Sequence, residues 1–180
     1  MEKVPWCWGI KIWSIMDIIT HALSGVVLAN IIAETPEQKI CVVIGSILPD
    51  VLFSPFFPLL SKKAGKKLKD LSEKDFLLLA DTIQPWRKIY QVMHGIPMLI
   101  LVSLLEVLIF QTYFLCSGMA LHIFYDLWSH KYKTPGLNPK PFFPFSSKPF
   151  NYGFINGWES WPKINIISWV IHLILIYLSS

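Results

Sequence analysis

The 180-residue sequence is poor in charged residues, which narrows the kind of protein it can be. Asp, Glu, Lys and Arg make up 16% of the chain, whereas soluble domains carry about 25%. Hydrophobic residues reach 53%, and a soluble fold of this length could not cover so much apolar surface with so few charges. We therefore expect part of the surface to face a lipid bilayer.

Cysteine is also scarce, and the three cysteines present (Cys7, Cys41 and Cys116) are widely spaced. They form neither a CxxC zinc knuckle nor a disulfide framework, so we interpret them as buried thiols in a reducing setting. The sequence also lacks internal repeats and the alternation of polar and apolar residues that half-buried strands show. These absences favour an all-α fold.

The first residues lack the shape of a secretory signal peptide, because no small-residue cleavage site follows a clean apolar stretch. The patterned sequence begins at Met16. We interpret residues 1–15 as an N-terminal extension and residues 16–180 as one domain, since the length suits a single domain.

Four apolar stretches alternate with polar or proline-rich segments. The stretches are Ile18–Ala33, Ile40–Leu60, Ile96–Leu121 and Ile164–Leu178, and Leu127 extends the third. A lysine-rich segment (Ser61–Asp75) and a predicted short surface helix (Phe76–Ile83) lie between the second and the third. The pattern predicts a compact, membrane-embedded bundle of helices with a long aromatic and proline-rich loop at His130–Pro162.

The lysines and arginines predict how the bundle sits in the membrane. Fifteen of the sixteen lie in three regions, Met1–Asp17, Ser61–Met93 and His130–Lys163. The positive-inside rule places all three regions in the cytoplasm. Ile96–Leu127 must then fold as a hairpin that turns between Phe110 and Gly118.

A single helix across Ile96–Leu121 is the competing interpretation. Its 26 residues would extend about 39 Å, which is enough for a bilayer core of about 30 Å. It would, however, leave the five lysines that follow it on the outer side. It would also separate His94 from His122 by roughly 42 Å. The hairpin brings the two histidines to the same side, and we prefer it.

Ionisable residues within or beside the apolar segments fall at the predicted helix ends on the lysine-rich side. Such groups normally face a polar interior, because each costs a few kcal/mol or more at membrane depth, on the order of 3 kcal/mol on insertion scales. The set is Asp17, His21, Asp50, His94, His122, Asp126 and His130. Their shared placement predicts one functional site.

His122, Asp126 and His130 follow one another at intervals of four, which places them on one helix face. His122 and Asp126 can reach one metal ion. His130 lies about 12 Å along the axis from His122, so it would serve a second ion, orient a ligand or transfer a proton. Imidazole and carboxylate ligands suit Zn²⁺, Mn²⁺ or Fe.

Five residues are the predicted ligands, and two ions suit that number better than one. The five are His21, Asp50, His94, His122 and Asp126. Each also has a structural interpretation, since a single histidine near a helix end is more often a packing or capping residue. Asp17 could cap a helix, and Asp50 could form a turn after Pro49. We interpret His172 as structural and Glu106 as an interhelical hydrogen-bonding group.

Several strings resemble those of the YdjM-type family, described as inner-membrane-associated, metal-dependent hydrolases. The strings are MDIITHALSG (Met16–Gly25), GSILPD (Gly45–Asp50), LHIFYDLWSH (Leu121–His130) and PFFPFS (Pro141–Ser146). The resemblance extends from Met16 to about Trp161 and implies that the five predicted ligands are the family's metal-site positions. Many relatives carry two histidines in an HRxxTHS-like string, where this chain has only His94, followed by Gly95.

We therefore predict a membrane-bound, metal-dependent hydrolase whose site faces the cytoplasm, acting on phosphoester or lipid substrates. Asp50, His130 and Glu159 are the candidate catalytic residues, and Zn²⁺ is the first candidate cofactor, as one or two ions. The alternatives are a membrane scaffold, in which His and Asp tie helices together, and a metal-binding sensor or transport protein.

Membrane lipids are the expected partners, and no motif indicates nucleic-acid binding. The aromatic loop between Pro141 and Trp161 suits a belt at the headgroup level, although it could also line an acyl-chain pocket. The lysines between Ser61 and Lys74 are expected to meet anionic headgroups.

Overall fold

The computed structural model describes residues 11–53, 56–67, 75, 84–131, 139–150, 155–156 and 161–179. The helices in these ranges are α1 (Lys11–Ile32), α2 (Pro36–Phe53), α3 (Phe56–Ala64), α4 (Gln84–Met93), α5 (Ile96–Phe110), α6 (Phe114–Ser129) and α7 (Trp161–Ser179). Two-residue strands, β1 (His130–Lys131) and β2 (Ile155–Asn156), pair in parallel. The predicted all-α class is confirmed, with this small strand pair as an addition. The helix predicted at Phe76–Ile83 lies outside the described residues.

The hairpin predicted for Ile96–Leu127 is present. Helix α5 ends at Phe110, and Gln111 adopts a left-handed φ of 52° while its N–H donates to the carbonyl of Val107. Helix α6 begins at Phe114, so the reversal lies inside the predicted window. The alternative of one uninterrupted helix across this region is wrong.

Glu106, buried near the end of α5, joins the two arms of the hairpin. One carboxylate oxygen accepts hydrogen bonds from the N–H of Leu115 (2.8 Å) and the hydroxyl of Thr112 (3.0 Å). The other accepts from the N–H of Cys116 (2.7 Å). First-turn N–H groups have no intrahelical acceptor and carry partial positive charge. Glu106 therefore caps α6, which confirms its predicted interhelical role.

We expect Glu106→Gln to lower the free energy of unfolding by about 2 kcal/mol. The amide N–H₂ would replace one carboxylate oxygen, so a donor would face the backbone N–H that now has an acceptor. Thermal denaturation of the purified chain in detergent measures the change. Glu37→Gln is the matched control, since Glu37 is exposed in the first turn of α2, where water screens its charge, and its loss should lower the free energy of unfolding far less. Equal losses in the two variants would contradict the capping role.

Helices α2 and α6 approach each other most closely at two glycines. A Cβ atom on Gly118 would lie 2.0 Å from the carbonyl oxygen of Val42, and one on Gly45 would lie 2.0 Å from that of Leu115. Only glycine fits where two helix backbones touch in this way. Because His122 and Asp126 follow Gly118 by one and two turns, this contact sets their distance from α2.

Helix α7 packs on α1 through polar contacts. The indole N–H of Trp169 donates to the hydroxyl of Thr20 (2.9 Å). Nε2 of His172 lies 2.8 Å from the hydroxyl of Ser24, and its Nδ1 lies 2.7 Å from the carbonyl oxygen of Ser168. These contacts are those expected of the structural role predicted for His172.

The outer faces of α5, from Ile100, and of α7, from Ile166, carry many exposed apolar side chains. Leu108 is 76% exposed and Tyr177 82% exposed, and aliphatic neighbours surround them on both helices. Within the described ranges, no helix combines the length and the apolar character needed to cross a bilayer. The predicted transmembrane spans therefore have no counterpart among these helices. Cys41, predicted to be buried, is exposed on α2 because it lies on the face turned away from the packed helices.

Candidate metal centre

The five predicted ligands converge at one end of the bundle. They come from α1 (His21), α2 (Asp50), the turn after α4 (His94) and α6 (His122 and Asp126). The ring centroids of His94 and His122 lie 5.0 Å apart, which the hairpin makes possible. We call these five residues the His–Asp cluster.

The two carboxylates lie among the three imidazoles. In Asp126, Oδ1 lies 3.2 Å from Nε2 of His21, and Oδ2 lies 3.5 Å from Nε2 of both His94 and His122. The Asp50 carboxylate lies 3.4 Å from Nε2 of His94 and 3.9 Å from Nε2 of the other two. Both carboxylates therefore contact all three rings.

Asp50 reaches the cluster from within α2. The helix continues through Pro49, which is buried, and ends at Phe53. The alternative interpretation, in which Asp50 forms a turn after Pro49, is wrong. On α6, the interval of four between His122 and Asp126 places both on the face that Gly118 holds against α2.

Backbone carbonyls fix the orientation of two of the rings. Nδ1 of His122 lies 2.7 Å from the carbonyl oxygen of Ser46, and Nδ1 of His94 lies 2.9 Å from that of Tyr90. A carbonyl oxygen can only accept, so each Nδ1 carries the hydrogen and donates it. In the neutral ring, the lone pair is then on Nε2, which points into the cluster. Histidine ligands of metals show this same arrangement.

Several atoms at the centre of the cluster make no hydrogen bond to the described part of the chain. They are Nε2 of His94, Nε2 of His122 and Oδ2 of Asp50, and all three are buried. A buried polar atom without a partner costs about 1–3 kcal/mol. Lone pairs on nitrogen and oxygen also repel each other at 3.4–3.9 Å. The cluster is therefore built for a positive charge at its centre.

The pKa values of the cluster also indicate that a positive charge is favoured at its centre. Burial lowers the pKa of His122, but the carboxylates of Asp126 and Asp50 raise it more, to about 9. Burial raises the pKa of Asp50, yet the neighbouring imidazoles, with His122 first among them, hold it below its usual value. Both effects favour ionised Asp50 beside a protonated His122, and a cation would compete with that proton.

The donor atoms suit a divalent transition metal. A tetrahedral ion with ligands at about 2.0–2.2 Å holds its donor atoms about 3.3–3.6 Å apart. The shorter contacts of Asp126 and Asp50 to the imidazoles, 3.2–3.5 Å, are close to that range. Two groups of donors each lie within 4.8 Å of one another, His21 with Asp50 and His122, and His94 with His122 and Asp126.

A family profile described as "YdjM inner membrane protein" matches residues 16–180. The chain belongs to the YdjM family. Membership places it among inner membrane proteins, which is the membrane predicted from the resemblance. No curated protein and no solved structure matches the chain significantly.

Two residues predicted to be catalytic in this YdjM-family chain are not described at the level of side chains. The backbone of His130 lies in β1, where it pairs with Ile155, but its side chain is outside the described part. The backbone of Asp17 lies inside α1, six residues after its start, so the alternative in which Asp17 caps that helix is wrong. Its side chain is not described, and Glu159 lies wholly outside the described residues. The roles of His130 and Glu159 stay predictions.

Other residues that contact the cluster were not singled out by the sequence. Ser46 acts through its backbone carbonyl, which any residue provides, so no sequence signal marks it. Tyr90 contributes its carbonyl and also packs its ring on His94, with centroids 4.0 Å apart. The rings of Tyr125 and His21 pack edge to face, with centroids 5.7 Å apart, and the hydroxyl of Tyr125 lies 3.0 Å from that of Ser168. Its position next to Asp126 was the one available indication.

Proposed function

We propose that this chain is a metal-dependent hydrolase that acts at the inner membrane on phosphoester substrates, with Zn²⁺ as the first candidate metal and Mn²⁺ or Fe as others. One observation carries the proposal. Three imidazoles and two carboxylates meet in a buried cluster in which carbonyls orient two rings, so that Nε2 lone pairs face the centre. A scaffold that only ties helices together has no need of unbonded nitrogens at its centre.

The chemistry follows from what the cluster can bind. A divalent cation bound there would act as a Lewis acid towards a phosphoryl oxygen and lower the pKa of water. The imidazoles of His94 and His122 would hold it, and the hydrogen bonds to Ser46 and Tyr90 keep them in position. Asp126, which contacts all three rings, would balance half of its charge, and Asp50 the other half.

Asp50 is the member of the cluster that is most accessible to water and substrate. Its side chain is 17% exposed, whereas the other four members of the cluster are 0–7% exposed. Water and substrate would therefore approach from the side of Asp50. Its pKa is below its usual value, so its carboxylate is ionised at neutral pH and can bind a cation without first losing a proton.

The surface of the chain favours a substrate in the membrane. The apolar outer faces of α5 and α7 are suited to contact with lipid chains, and the family is one of inner membrane proteins. Lys62 and Lys63 are exposed at the end of α3, the helix that follows Asp50 in the chain. Their charges would attract anionic headgroups. The positive-inside rule favours the cytoplasmic side for this end of the bundle.

Metal removal tests the proposal. The full chain, purified in detergent, is expected to contain at least one divalent transition metal per chain by atomic spectrometry. Dialysis against a chelator should remove the metal and abolish the hydrolysis of generic phosphate monoesters and diesters and of short-chain phospholipids, phosphatidate among them, and Zn²⁺ or Mn²⁺ should restore it. A chain that binds no metal would contradict the proposal. Bound metal without hydrolysis of any ester would count against a hydrolase and favour a metal sensor.

A further inference from the structure

Each of the two carboxylates of the His–Asp cluster places one oxygen nearest to His21 and the other nearest to His94 and His122. Oδ2 of Asp50 and Oδ1 of Asp126 make the closest approaches to His21, at 3.9 and 3.2 Å. The other oxygen of each carboxylate makes the closest approaches to His94 and His122, at 3.4–3.9 Å. The imidazoles therefore face two different edges of the same pair of carboxylates.

This division yields two sets of donor atoms, each of which would hold one cation. The first has two imidazoles, His94 and His122, and one oxygen from each carboxylate, which completes four donors. The second has one imidazole, His21, with the remaining two oxygens. Structural metal sites use four protein ligands, whereas sites that bind substrate keep a position open. The His21 position, with three donors from the chain, would leave one coordination position open for a substrate.

Charge makes the second position dependent on an anion. One divalent cation balances the two carboxylates, and the cluster is then neutral when the imidazoles are neutral. A second divalent cation would leave two unbalanced positive charges among side chains that are 0–17% exposed, which is unfavourable in a buried site. A phosphate dianion restores neutrality, whereas a phosphodiester, with one negative charge, does so only in part.

We propose that the cluster holds two divalent cations, the first at His94 and His122 and the second at His21, and that the second enters together with a phosphate dianion. The proposal rests on the metal-dependent function proposed above and narrows the substrate class to phosphate monoesters. Because linkage is reciprocal, the anion strengthens binding of the second cation by the same factor as the cation strengthens binding of the anion.

Equilibrium dialysis of the full chain against Mn²⁺, with electron paramagnetic resonance of the bound ions, tests the inference. Without added anion, we expect one tightly bound ion per chain. Inorganic phosphate at millimolar concentration should raise the number to two and strengthen the second equivalent at least about tenfold. A magnetically coupled Mn²⁺ pair should appear at the same time. Dialysis without protein controls for the association of Mn²⁺ with phosphate.

The source of the phosphate group is tested with two further ligands. A short-chain phosphatidate, which is a monoester, should act as inorganic phosphate does if a lipid headgroup is recognised. Glycerophosphocholine, which is a diester, should have a weaker effect. If phosphatidate raises the number of bound ions and inorganic phosphate does not, the second position is assigned to a lipid phosphate. If both ligands raise it, the position is assigned to the phosphate group itself. A diester that acts as strongly as the monoesters would overturn the choice of substrate class.

Two variants locate the second ion. His21→Gln should lose the second equivalent and the response to phosphate while keeping the first ion, whereas His94→Gln should weaken the first at least about 100-fold. His172→Gln replaces a buried histidine outside the cluster and should retain both ions. One ion per chain under all conditions would overturn the inference and leave the proposed function standing. No bound ion would overturn both, and two ions regardless of phosphate would overturn the coupling to the anion. Since these last three outcomes concern the unmodified chain, the inference does not depend on any variant folding.

Discussion

Asp126→Asn is expected to lower the affinity of the cluster for its tightest divalent cation by more than about 100-fold, and to abolish hydrolysis with it. Asp126 is the carboxylate that approaches all three imidazoles most closely overall, at 3.2–3.5 Å. The substitution preserves the shape of the side chain and removes its negative charge. A cation would then meet only one carboxylate, Asp50, in a buried site where its charge needs two.

The same substitution should leave the fold intact. At a pH above about 9, where His122 is neutral in the metal-free chain, the asparagine amide can donate a hydrogen bond to Nε2 of His94 or His122, both of which make none to the described residues. We therefore expect the free energy of unfolding without metal to change by no more than about 1 kcal/mol. Calorimetric titration with Zn²⁺ and thermal denaturation with a chelator measure the two effects separately.

Glu106→Gln is the matched control, because it also replaces a buried carboxylate with an amide, at the opposite end of the hairpin. It should lower stability and leave cation affinity unchanged, which is the reverse of the Asp126 result. If Asp126→Asn binds Zn²⁺ as tightly as the unmodified chain, Asp126 is not a ligand and the cluster is not the metal site.

The convergence of the five residues could be predicted because two independent constraints led to the same topology. The distribution of lysines required a hairpin within Ile96–Leu127, and a shared site for His94 and His122 required the same reversal. The structure has that reversal at Gln111. Helical periodicity then placed His122 and Asp126 on one face without any knowledge of the neighbouring helix.

The details of the site could not be predicted, because they depend on distances between helices. The orientation of His122 comes from a carbonyl of α2, and the division of the carboxylate oxygens depends on where α1 and α2 cross α6. Proline led to a wrong expectation at Asp50. Pro49 indicated a turn, yet α2 continues past it to Phe53, since a helix can kink at proline and still go on when its packing is maintained.

Gly118→Ala is expected to lower the free energy of unfolding by about 3 kcal/mol, because the added methyl group has no space. Its carbon would lie 2.0 Å from the carbonyl oxygen of Val42 and 2.7 Å from the backbone nitrogen of Ser46. Both atoms belong to the backbone of α2, so a side-chain rotation cannot relieve the contact. Helices α2 and α6 must move apart.

The movement of α2 away from α6 should also disturb the metal site. Ser46 accepts the hydrogen bond from Nδ1 of His122, and moving the backbone of Ser46 away would release the ring. Loss of such an orienting bond typically costs 10–100-fold in metal affinity. Gly118→Ala should therefore weaken cation binding by about that factor even at temperatures where the chain remains folded. Thermal denaturation and calorimetric titration of the same sample measure both effects.

Gly65→Ala is the matched control, because it also replaces a glycine with alanine but at a position where no helix contact is disturbed. Gly65 has a φ of +63°, and a Cβ atom there would meet nothing within 4 Å. The left-handed backbone should cost about 1 kcal/mol, but cation affinity should not change, because no helix is displaced. Unchanged affinity in Gly118→Ala would mean that the contact between α2 and α6 does not position His122. The orientation of the ring would then have to come from its neighbours on α6 alone.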